Sequence, residues 1–299
     1  MNERRGRAAG PHRAGFAALL GPPNAGKSTL LNHLIGQKLA IVTAKPQTTR
    51  SRILGILNRP DAQLLLVDTP GLHEGARPLN VALNEAVHLA AENADVALLL
   101  VDRTRGWCDL HDTLFEGLRS HATPTIIVAT KCDLPPARGL VWPPPQVADT
   151  TVMLTSAVTG EGIDALLDAL VAALPESPAL YPEETLTDRP LRWLAGELVR
   201  EAVFECLGQE LPYAMAVEVV AFEESRPDLT RIRANVLVER NSQKRIVVGT
   251  GGQMIKRIGV SARHQIETLV GTRVHLELFV KIDPRWLKNP RRIESLGYN

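Results

Sequence analysis

The chain has 299 residues, of which 44% are hydrophobic and 22% charged, and its formal net charge is +1. This composition is typical of a folded globular protein and excludes wholesale disorder and a fibrous repeat, while the length predicts two domains. The apolar runs are shorter than the ~18–20 residues of a membrane-spanning helix, so an integral membrane protein is excluded. The three cysteines cannot form a disulfide framework, which predicts a reducing, cytoplasmic compartment.

Between residues 15 and 176 the sequence predicts an α/β domain. Short runs of Val, Ile and Leu alternate with longer amphipathic segments, as in a doubly wound, mostly parallel sheet covered by helices on both faces. The arginine-rich residues 1–14 predict a disordered basic tail rather than a secretory signal, because no apolar segment follows them. Prolines between 134 and 150 predict a surface excursion. The predicted strands are Phe16–Leu20, Leu64–Val67, Val96–Val101, Thr125–Ala129 and Val152–Leu154.

Residues 177–190 contain several prolines and predict a linker to a second, smaller α+β domain over 191–299. Its helices are predicted at Leu191–Leu207 and, as two short ones, within 253–270. Its strands are predicted at Ala214–Phe222, Ile232–Glu239, Arg245–Val248 and Arg273–Val280.

A phosphate-binding loop is predicted directly after the first strand. Residues 21–28 fit the pattern G-x-x-x-x-G-K-[ST] between an apolar strand and an amphipathic segment. In this motif backbone N–H groups surround the phosphates, Lys27 reaches the β- and γ-phosphates, and Ser28 is a ligand of Mg²⁺. The candidate phosphate-binding residues are Gly21, Pro22, Asn24, Ala25, Gly26, Lys27, Ser28 and Thr29.

Three further motifs at predicted strand ends indicate a guanine nucleotide. Asp133, in Thr130-Lys131-Cys132-Asp133, offers a carboxylate to the two N–H donors of guanine, a donor pair that adenine lacks. Ser156-Ala157 offers a backbone N–H to the guanine oxygen. In Asp68-Thr69-Pro70-Gly71, Asp68 is predicted to hold Mg²⁺ and the Gly71 N–H to meet the γ-phosphate.

Together these motifs resemble the translation-factor-related P-loop GTPases. Lys45-Pro46-Gln47-Thr48-Thr49-Arg50 resembles the nucleotide-responsive segment of the Era family. The resemblance implies that Thr48 or Thr49 ligates Mg²⁺, and we favour Thr49. The residue after Gly71 is Leu72, where many relatives have glutamine, which implies slow hydrolysis.

Asn24 resembles the asparagine of potassium-activated relatives. In those relatives the asparagine holds K⁺ beside the β- and γ-phosphates, where the cation supplies charge that an arginine supplies elsewhere. A purely structural role, bracing the loop, is the open alternative. The candidate catalytic residues are thus Lys27, Thr49, Gly71 and Asn24.

The charge of the C-terminal third changes sign along the chain. Residues 183–230 contain 4 Arg and 11 acidic residues, whereas residues 231–292 contain 14 Lys plus Arg and 4 acidic residues. Such a swing favours a polyanion-binding face.

The turn Gly249-Thr250-Gly251-Gly252 lies inside the basic segment, and this unit resembles a type II KH domain. The resemblance implies that single-stranded RNA passes the turn, with Val247, Ile255 and Ile258 as groove floor. The candidate RNA-binding residues are Lys244, Arg245, Gly249, Thr250, Gly251, Gly252, Lys256 and Arg257.

Resemblance to the Era family extends over nearly the whole chain, including Tyr181–Glu201 and the tail Asn289–Tyr298. It implies a GTP- and Mg²⁺-dependent GTPase that binds the 3′ end of 16S ribosomal RNA and acts in assembly of the small ribosomal subunit. We expect a monomer in the cytoplasm, with peripheral association at the inner face of the cell membrane left open. The alternative is a GTP-dependent switch whose basic domain docks on an anionic membrane or a protein partner.

Overall fold

The computed structural model describes residues 12–43, 45, 48–71, 85, 87–147, 149–208 and 211–298. They form two compact units. The first comprises the described residues of 1–37, 52–69 and 87–188, and the second those of 38–51, 70–86 and 189–299. Most of the predicted basic tail lies outside the described residues, and the first strand begins at Arg13. The predicted domain bounds of 15–176, 177–190 and 191–299 stay predictions.

The first unit is built around a six-stranded sheet in the order β2-β3-β1-β4-β5-β6. All neighbouring strands are parallel except β2, which pairs antiparallel with β3. This confirms the predicted mostly parallel α/β fold, although the sequence analysis missed β2. The elements are β1 (Arg13–Leu20), α1 (Lys27–Ile35), β2 (Ile53–Asn58), β3 (Ala62–Asp68), β4 (Val96–Asp102), α2 (Asp109–Ser120), β5 (Thr125–Thr130), β6 (Thr151–Leu154) and α3 (Ile163–Ala173). Residues 87–92 are also helical.

The strand register brings the polar strand ends to one edge of this sheet. Leu19 near the end of β1 lies opposite Asp68 at the end of β3, and Asp102 lies opposite Thr130 at the ends of β4 and β5. Strands β3 and β4 are buried throughout, as their continuous apolar sequences require. In sheets of this kind ligands bind outside the carboxyl ends of the strands.

The second unit has a three-stranded sheet in the order β7-β8-β9. Strand β8 is antiparallel to β7 and parallel to β9. Alternate residues of β8 enter two cores: Ile232, Ala234 and Val236 pack with the helices, whereas Leu237 packs with the C-terminal segment. The elements are α4 (Leu191–Cys206), β7 (Met215–Arg226), β8 (Leu229–Val238), α5 (Asn241–Val248), α6 (Gln253–Val270), β9 (Arg273–Ile282) and α7 (Pro290–Ser295).

Two predictions about this unit were wrong. The predicted strand Arg245–Val248 is the second half of helix α5, and the two short helices predicted within 253–270 are one helix, α6. The side chain of Gln243 accepts the backbone N–H groups of Glu239 at 2.8 Å and Arg240 at 3.0 Å, which starts the helix in spite of its β-branched residues. Val247 is then fully buried in the core, so packing overrides local preference.

Residues 38–51 are part of the second unit although they lie between α1 and β2 in the chain. Ile41 is 2% exposed and belongs to the core formed by α4, α6 and the three-stranded sheet. Nothing in the local sequence predicts this placement.

Over the described part of the chain, no helix is both long and apolar enough to cross a membrane.

Candidate functional site

The loop after β1 has the backbone that a phosphate-binding turn requires. Gly21 has φ 142°, and a Cβ there would lie 2.7 Å from the carbonyl oxygen of Leu100. Asn24 and Gly26 also have positive φ angles, of 65° and 98°. Gly26 is the residue before α1, and no side chain caps that helix. The first N–H groups of α1 are therefore directed at the loop, where an anion is stabilised by them and by the helix dipole.

Lys27 is a buried cation inside this loop. Its Nζ donates to the carbonyl oxygens of Gly21 at 2.8 Å and Pro22 at 2.9 Å, and the residue is 6% exposed. Burial lowers the pKa of Lys27 to about 8, although the nearby Asp68 acts in the opposite direction. A phosphate group would supply the negative charge that a buried ammonium lacks here.

Asp68 at the end of β3 has one carboxylate oxygen engaged and one without a partner. Its Oδ2 accepts the Ser28 hydroxyl at 2.6 Å. Its Oδ1 is buried and has no hydrogen-bond partner among the described residues. Burial raises the pKa of Asp68 to about 6, against the effects of Lys27 and Ser28. An orphaned carboxylate oxygen beside a serine hydroxyl fits Mg²⁺, which prefers oxygen ligands and binds through one or two protein groups plus phosphates.

Thr130 and Lys131 brace the loop and the neighbouring strand end. The Thr130 hydroxyl donates to the Ala25 carbonyl at 2.7 Å, which ties the end of β5 to the phosphate loop. Lys131 Nζ donates to Asp102 Oδ2 at 2.7 Å. Burial alone would raise the pKa of Asp102, but the hydrogen bonds from Lys131 and Thr104 hold it below its usual value. The sequence analysis missed Asp102. The signal was present, because β4 ends in an aspartate, as β3 does.

Asp133 and Ser156 come together from two loops. Asp133 is exposed, and its Oδ1 accepts the Ser156 hydroxyl at 2.6 Å. Ser156 Oγ in turn accepts the backbone N–H groups of Val158 and Thr159 at 3.3 and 3.2 Å. The Ser156 N–H donates to the Glu161 carbonyl at 3.0 Å. These hydrogen bonds orient the exposed carboxylate for a ligand.

Several predicted site residues belong to the second unit. Thr48, Thr49, Pro70 and Gly71 are assigned to it, and Leu72, Pro46 and Gln47 lie outside the described residues. The Thr48 hydroxyl is used within its own segment, since it donates to the Lys45 carbonyl at 2.6 Å and lies 2.7 Å from the Thr43 hydroxyl.

The glycine turn of the second unit joins α5 to α6. Gly249, Gly251 and Gly252 have φ angles of 71°, 58° and 81°. A Cβ on Gly249 would lie 2.7 Å from Met254 Cβ, whereas Cβ atoms on Gly251 or Gly252 would meet nothing within 4 Å. The turn thus presents bare backbone to its surroundings. Exposed cations beside it are Arg245, Lys256 and Arg257, and Lys244 is half-buried.

A groove of about 310 Å³ runs beside this turn between α6 and β9. The apolar residues that line it are Ile255, Val260, Leu276 and Leu278. Two basic residues, Lys256 and Arg263, also line it. Ile255, which was expected in the groove floor, lines this groove. Val247 and Ile258, also expected in the floor, are wholly buried in the core and do not line this groove, so their part in the floor stays a prediction.

Models of two known families match the chain. Residues 16–131 match the model described as "50S ribosome-binding GTPase", and residues 210–287 match the model described as "KH domain". The chain is 42% identical over 294 residues to "GTPase Era" of Pseudomonas putida, covering 96% of this chain and 97% of that protein. It is 40% identical over 293 residues to "GTPase Era" of Geobacter metallireducens, covering 96% and 98%.

Two solved structures are similar over nearly their full length. Era in complex with MgGDPNP and nucleotides 1506–1542 of 16S ribosomal RNA has a TM-score of 0.90 and 35% identity, covering 96% of this chain and 99% of that chain. A single-residue variant of Aquifex aeolicus Era bound to GDP·AlF4⁻ has a TM-score of 0.89 and 34% identity, with the same coverage. The predicted fold, a P-loop GTPase domain followed by a KH domain, is confirmed. With these identities over almost the whole chain, the protein belongs to the Era family of GTPases.

Proposed function

We propose that this protein hydrolyses GTP to GDP and phosphate with Mg²⁺, and that it binds the 3′ end of small-subunit ribosomal RNA through its KH domain. The observation that supports the first part most is the pairing of a buried Lys27 with an Asp68 oxygen that has no partner in the described structure. Both are buried groups of opposite charge, and they lie beside the start of a helix that no side chain caps. An anionic nucleotide and a divalent cation would satisfy them together.

Guanine recognition is assigned to Asp133, with Lys131, Thr130, Ser156 and Ala157 around it. The Ser156 hydroxyl orients Asp133, and its N–H is already used by Glu161. We therefore assign the backbone N–H that meets the guanine oxygen to Ala157. Phosphate binding is assigned to residues 21–29, with Thr69 supporting the loop through its hydrogen bond to the Leu19 carbonyl.

Ser28, Asp68 and Thr49 are the proposed magnesium ligands. Thr49 is the ligand that the resemblance to the Era family favours over its neighbour Thr48. When bound, Mg²⁺ would neutralise charge developing on the phosphate oxygens. Pro70 and Gly71 would bring a backbone N–H to the γ-phosphate. With Leu72 in place of a water-orienting glutamine, hydrolysis is proposed to be slow. Asn24, whose backbone is held at φ 65°, is proposed to bind K⁺ beside the phosphates.

RNA binding is assigned to the turn Gly249–Gly252 and its flanking cations Lys244, Arg245, Lys256 and Arg257. The open space over Gly251 and Gly252 supports a close approach of the RNA backbone, and the neighbouring groove supports binding of unstacked bases. The complex of the similar Era with 16S ribosomal RNA nucleotides makes the small-subunit 3′ end the proposed target. A role in small-subunit assembly, a cytoplasmic location and a monomeric state belong to the same proposal.

Two substitutions test the two halves of the proposal. Asp133→Asn should shift the preference from GTP toward xanthosine triphosphate, because the amide cannot accept both guanine donors. Equal turnover of ATP and GTP by the unchanged protein would contradict the assignment of the nucleotide.

The double change Thr250→Asp and Gly251→Asp should weaken binding to a 16S 3′-end oligonucleotide while GTP affinity stays unchanged. Circular dichroism must first show a folded variant, because Gly251 has a positive φ. Anionic vesicles and a scrambled RNA are tested in parallel. Binding to vesicles but not to the RNA would favour the membrane-docking alternative.

A further inference from the structure

Lys131 has a backbone conformation that a long side chain rarely adopts. Its φ angle is 60°, in the left-handed region that favours glycine. Such a conformation persists only where the surrounding contacts hold it, and it occurs most often at functional sites. Lys131 lies between Thr130, which braces the phosphate loop, and Asp133, which is proposed to bind guanine. The conformation of Lys131 therefore sets the direction in which the chain leads to Asp133.

Asp102 holds the side chain of Lys131. The residue is 4% exposed and ends β4, opposite Thr130 at the end of β5. Its Oδ2 accepts the Lys131 ammonium at 2.7 Å, and its Oδ1 accepts the backbone N–H and the hydroxyl of Thr104 at 2.9 and 2.7 Å. Both carboxylate oxygens are thus engaged, and their direction is fixed. A charge-assisted hydrogen bond to such a carboxylate is among the stronger ones in a protein.

A second cation near Asp102 is a weaker partner. Arg105 Nε lies 3.7 Å from the same Oδ2, and the Arg105 side chain is 68% exposed, against 33% for Lys131. Exposed pairs contribute little, because water and salt screen them. The pair that fixes the chain here is therefore the one between Asp102 and Lys131.

Two backbone hydrogen bonds form the turn that leads from Lys131 to Asp133. The Cys132 N–H donates to the Thr155 carbonyl at 3.1 Å, and the Leu134 N–H donates to the Lys131 carbonyl at 3.0 Å. Thr155 directly precedes the serine whose hydroxyl orients Asp133. Relaxation of Lys131 toward a negative φ would change the start of this turn, and the Asp133 carboxylate would lose its direction.

We propose that Asp102 is a positioning residue for guanine recognition, which holds Lys131 in its left-handed conformation and thereby aims Asp133 at the base. This inference rests on the proposed function, in which the Asp133 carboxylate accepts the two N–H donors of guanine. All of these residues belong to the first unit. Because the chain forms the pair between Asp102 and Lys131 by itself, the carboxylate is aimed before the nucleotide arrives, which reduces the ordering cost of binding.

Asp102→Asn tests the proposal in the full-length protein. The amide keeps an oxygen for Thr104 but then presents its NH₂ group to the Lys131 ammonium, so the ion pair is lost at nearly unchanged volume. Lys131 is partly exposed and can move to water once the carboxylate is gone. Circular dichroism and thermal melting establish that the variant and its controls are folded.

Two controls separate positioning from a general loss of stability. Asp95→Asn makes the same change directly before β4, at the other end of the strand that Asp102 ends, where the carboxylate accepts the Phe16 N–H at 2.7 Å. Arg105→Met removes the exposed partner of Asp102 and leaves Lys131 in place. Neither control should change the recognition of guanine.

The first readout is the ratio of the Kd values for inosine diphosphate and GDP, both with Mg²⁺. Inosine lacks the exocyclic amine, which is one of the two donors, so the ratio measures how well Asp133 is aimed. We expect a ratio of roughly 10 to 100 for the parent and both controls, as for a hydrogen bond to a charged group, and a ratio that falls toward one for Asp102→Asn. A parent-like ratio in folded Asp102→Asn would overturn the proposal, because a purely structural defect weakens both nucleotides alike.

Lys131→Met tests whether Asp102 acts through Lys131. The single variant should lower the ratio as Asp102→Asn does, and the double variant should lower it no further, because both changes remove the same pair. A parent-like ratio in Lys131→Met, or additive losses in the double variant, would contradict the proposed route.

The second readout is hydrogen exchange of the Cys132 and Leu134 amides in nucleotide-free protein. Asp102→Asn should lose protection at both amides, whereas Asp95→Asn and Arg105→Met should keep that of the parent. Unchanged protection in Asp102→Asn would also overturn the proposal. If the parent showed no preference for GDP over inosine diphosphate, the assignment of Asp133 in the proposed function would be contradicted, and the exchange measurement would still decide whether Asp102 positions the turn.

Discussion

The phosphate loop and the aromatic surroundings of Arg50 each bury one basic side chain, and they do so in opposite ways. Burial lowers the pKa of Lys27 to about 8 and that of Arg50 to about 10. Lys27 faces Asp68, a carboxylate with one oxygen left without a partner in the described structure. Arg50 lies among the rings of Phe204, Trp286 and Tyr298, with both Arg200 and Glu197 nearby, and both of its Nη atoms donate to carbonyls of the chain.

The difference separates a site made for a ligand from a site that the chain fills itself. Around Lys27 a buried ammonium and a carboxylate oxygen without a partner in the described structure call for a ligand, which a nucleotide and a metal would supply. Around Arg50 the rings and the accepting carbonyls all come from the chain itself, and the cost lies in the burial of charge. We expect changes at the first site to alter chemistry and changes at the second to alter the stability of the second unit.

The largest effect is expected for Lys27→Met, which removes the cation at the phosphates. GTP hydrolysis should fall by about 10²- to 10³-fold or more, because a preorganised charge at the transferring phosphate is lost. The nucleotide-free protein should melt no lower, since the ammonium is destabilised by burial. Single-turnover hydrolysis and thermal melting measure the two effects. A variant that hydrolyses GTP at the parent rate would remove Lys27 from the site.

The next effect is a pH-dependent difference in stability between the parent and Asp68→Asn. The folded-state pKa of Asp68 is raised to about 6 from its ordinary value of 3.8, so the folded state holds this proton more tightly. Ionisation therefore destabilises the fold as the pH rises from about 4 to 6. The variant should gain on the order of 3 kcal/mol over the parent across that window.

Urea unfolding of nucleotide-free protein without Mg²⁺ at a series of pH values measures this difference. A difference that does not change with pH would show that Asp68 is not buried as an ionisable group. Because the ionised form is the metal ligand, Mg²⁺ binding should weaken as the pH falls below about 6.

A smaller effect is expected from the monovalent cation. Hydrolysis should be about tenfold faster in KCl than in NaCl, equivalent to roughly 1.4 kcal/mol, because K⁺ held by Asn24 adds charge beside the phosphates. Asn24→Ala should abolish the difference between the salts. If the parent shows equal rates in both salts and Asn24→Ala is neutral, Asn24 only braces the loop.

The smallest effect is expected for Thr130→Val, which removes the hydrogen bond to the Ala25 carbonyl. GDP should bind about fivefold more weakly, corresponding to about 1 kcal/mol for one hydrogen bond that braces the loop. Thr125→Val is the matched control, since Thr125 begins the same strand and its hydroxyl donates to the nearby Thr123 carbonyl. Calorimetric titration compares the two. Equal losses for both variants would place the effect in the strand rather than in the loop.

The sequence predicted a structural feature correctly where the residues that cause the feature lie together in one short segment. The phosphate loop is one example, because its glycines, Lys27 and Ser28 lie within eight residues between a strand and a helix. The buried strands β3 and β4 are another, since an unbroken apolar run can only lie inside. Helix α5 was predicted wrongly because the β-branched Ile246, Val247 and Val248 favour a strand, while the cap at Gln243 and the burial of Val247 decide for a helix.

The sequence by itself determined the α/β character of the first domain and the chemical types of the candidate residues, because these depend on spacing and periodicity within short stretches. The family and the KH fold came from the resemblance that the motifs carry. Only the tertiary structure decided which groups meet across long separations. Asp68 meets Ser28 over 40 residues, Thr130 meets Ala25 over 105, and Arg50 meets Met215 over 165. Burial also depends on the whole fold, since a lysine or an arginine is expected at the surface until packing removes its water. The lowered pKa of Lys27 and the three aromatic rings around Arg50 therefore follow only from the folded chain.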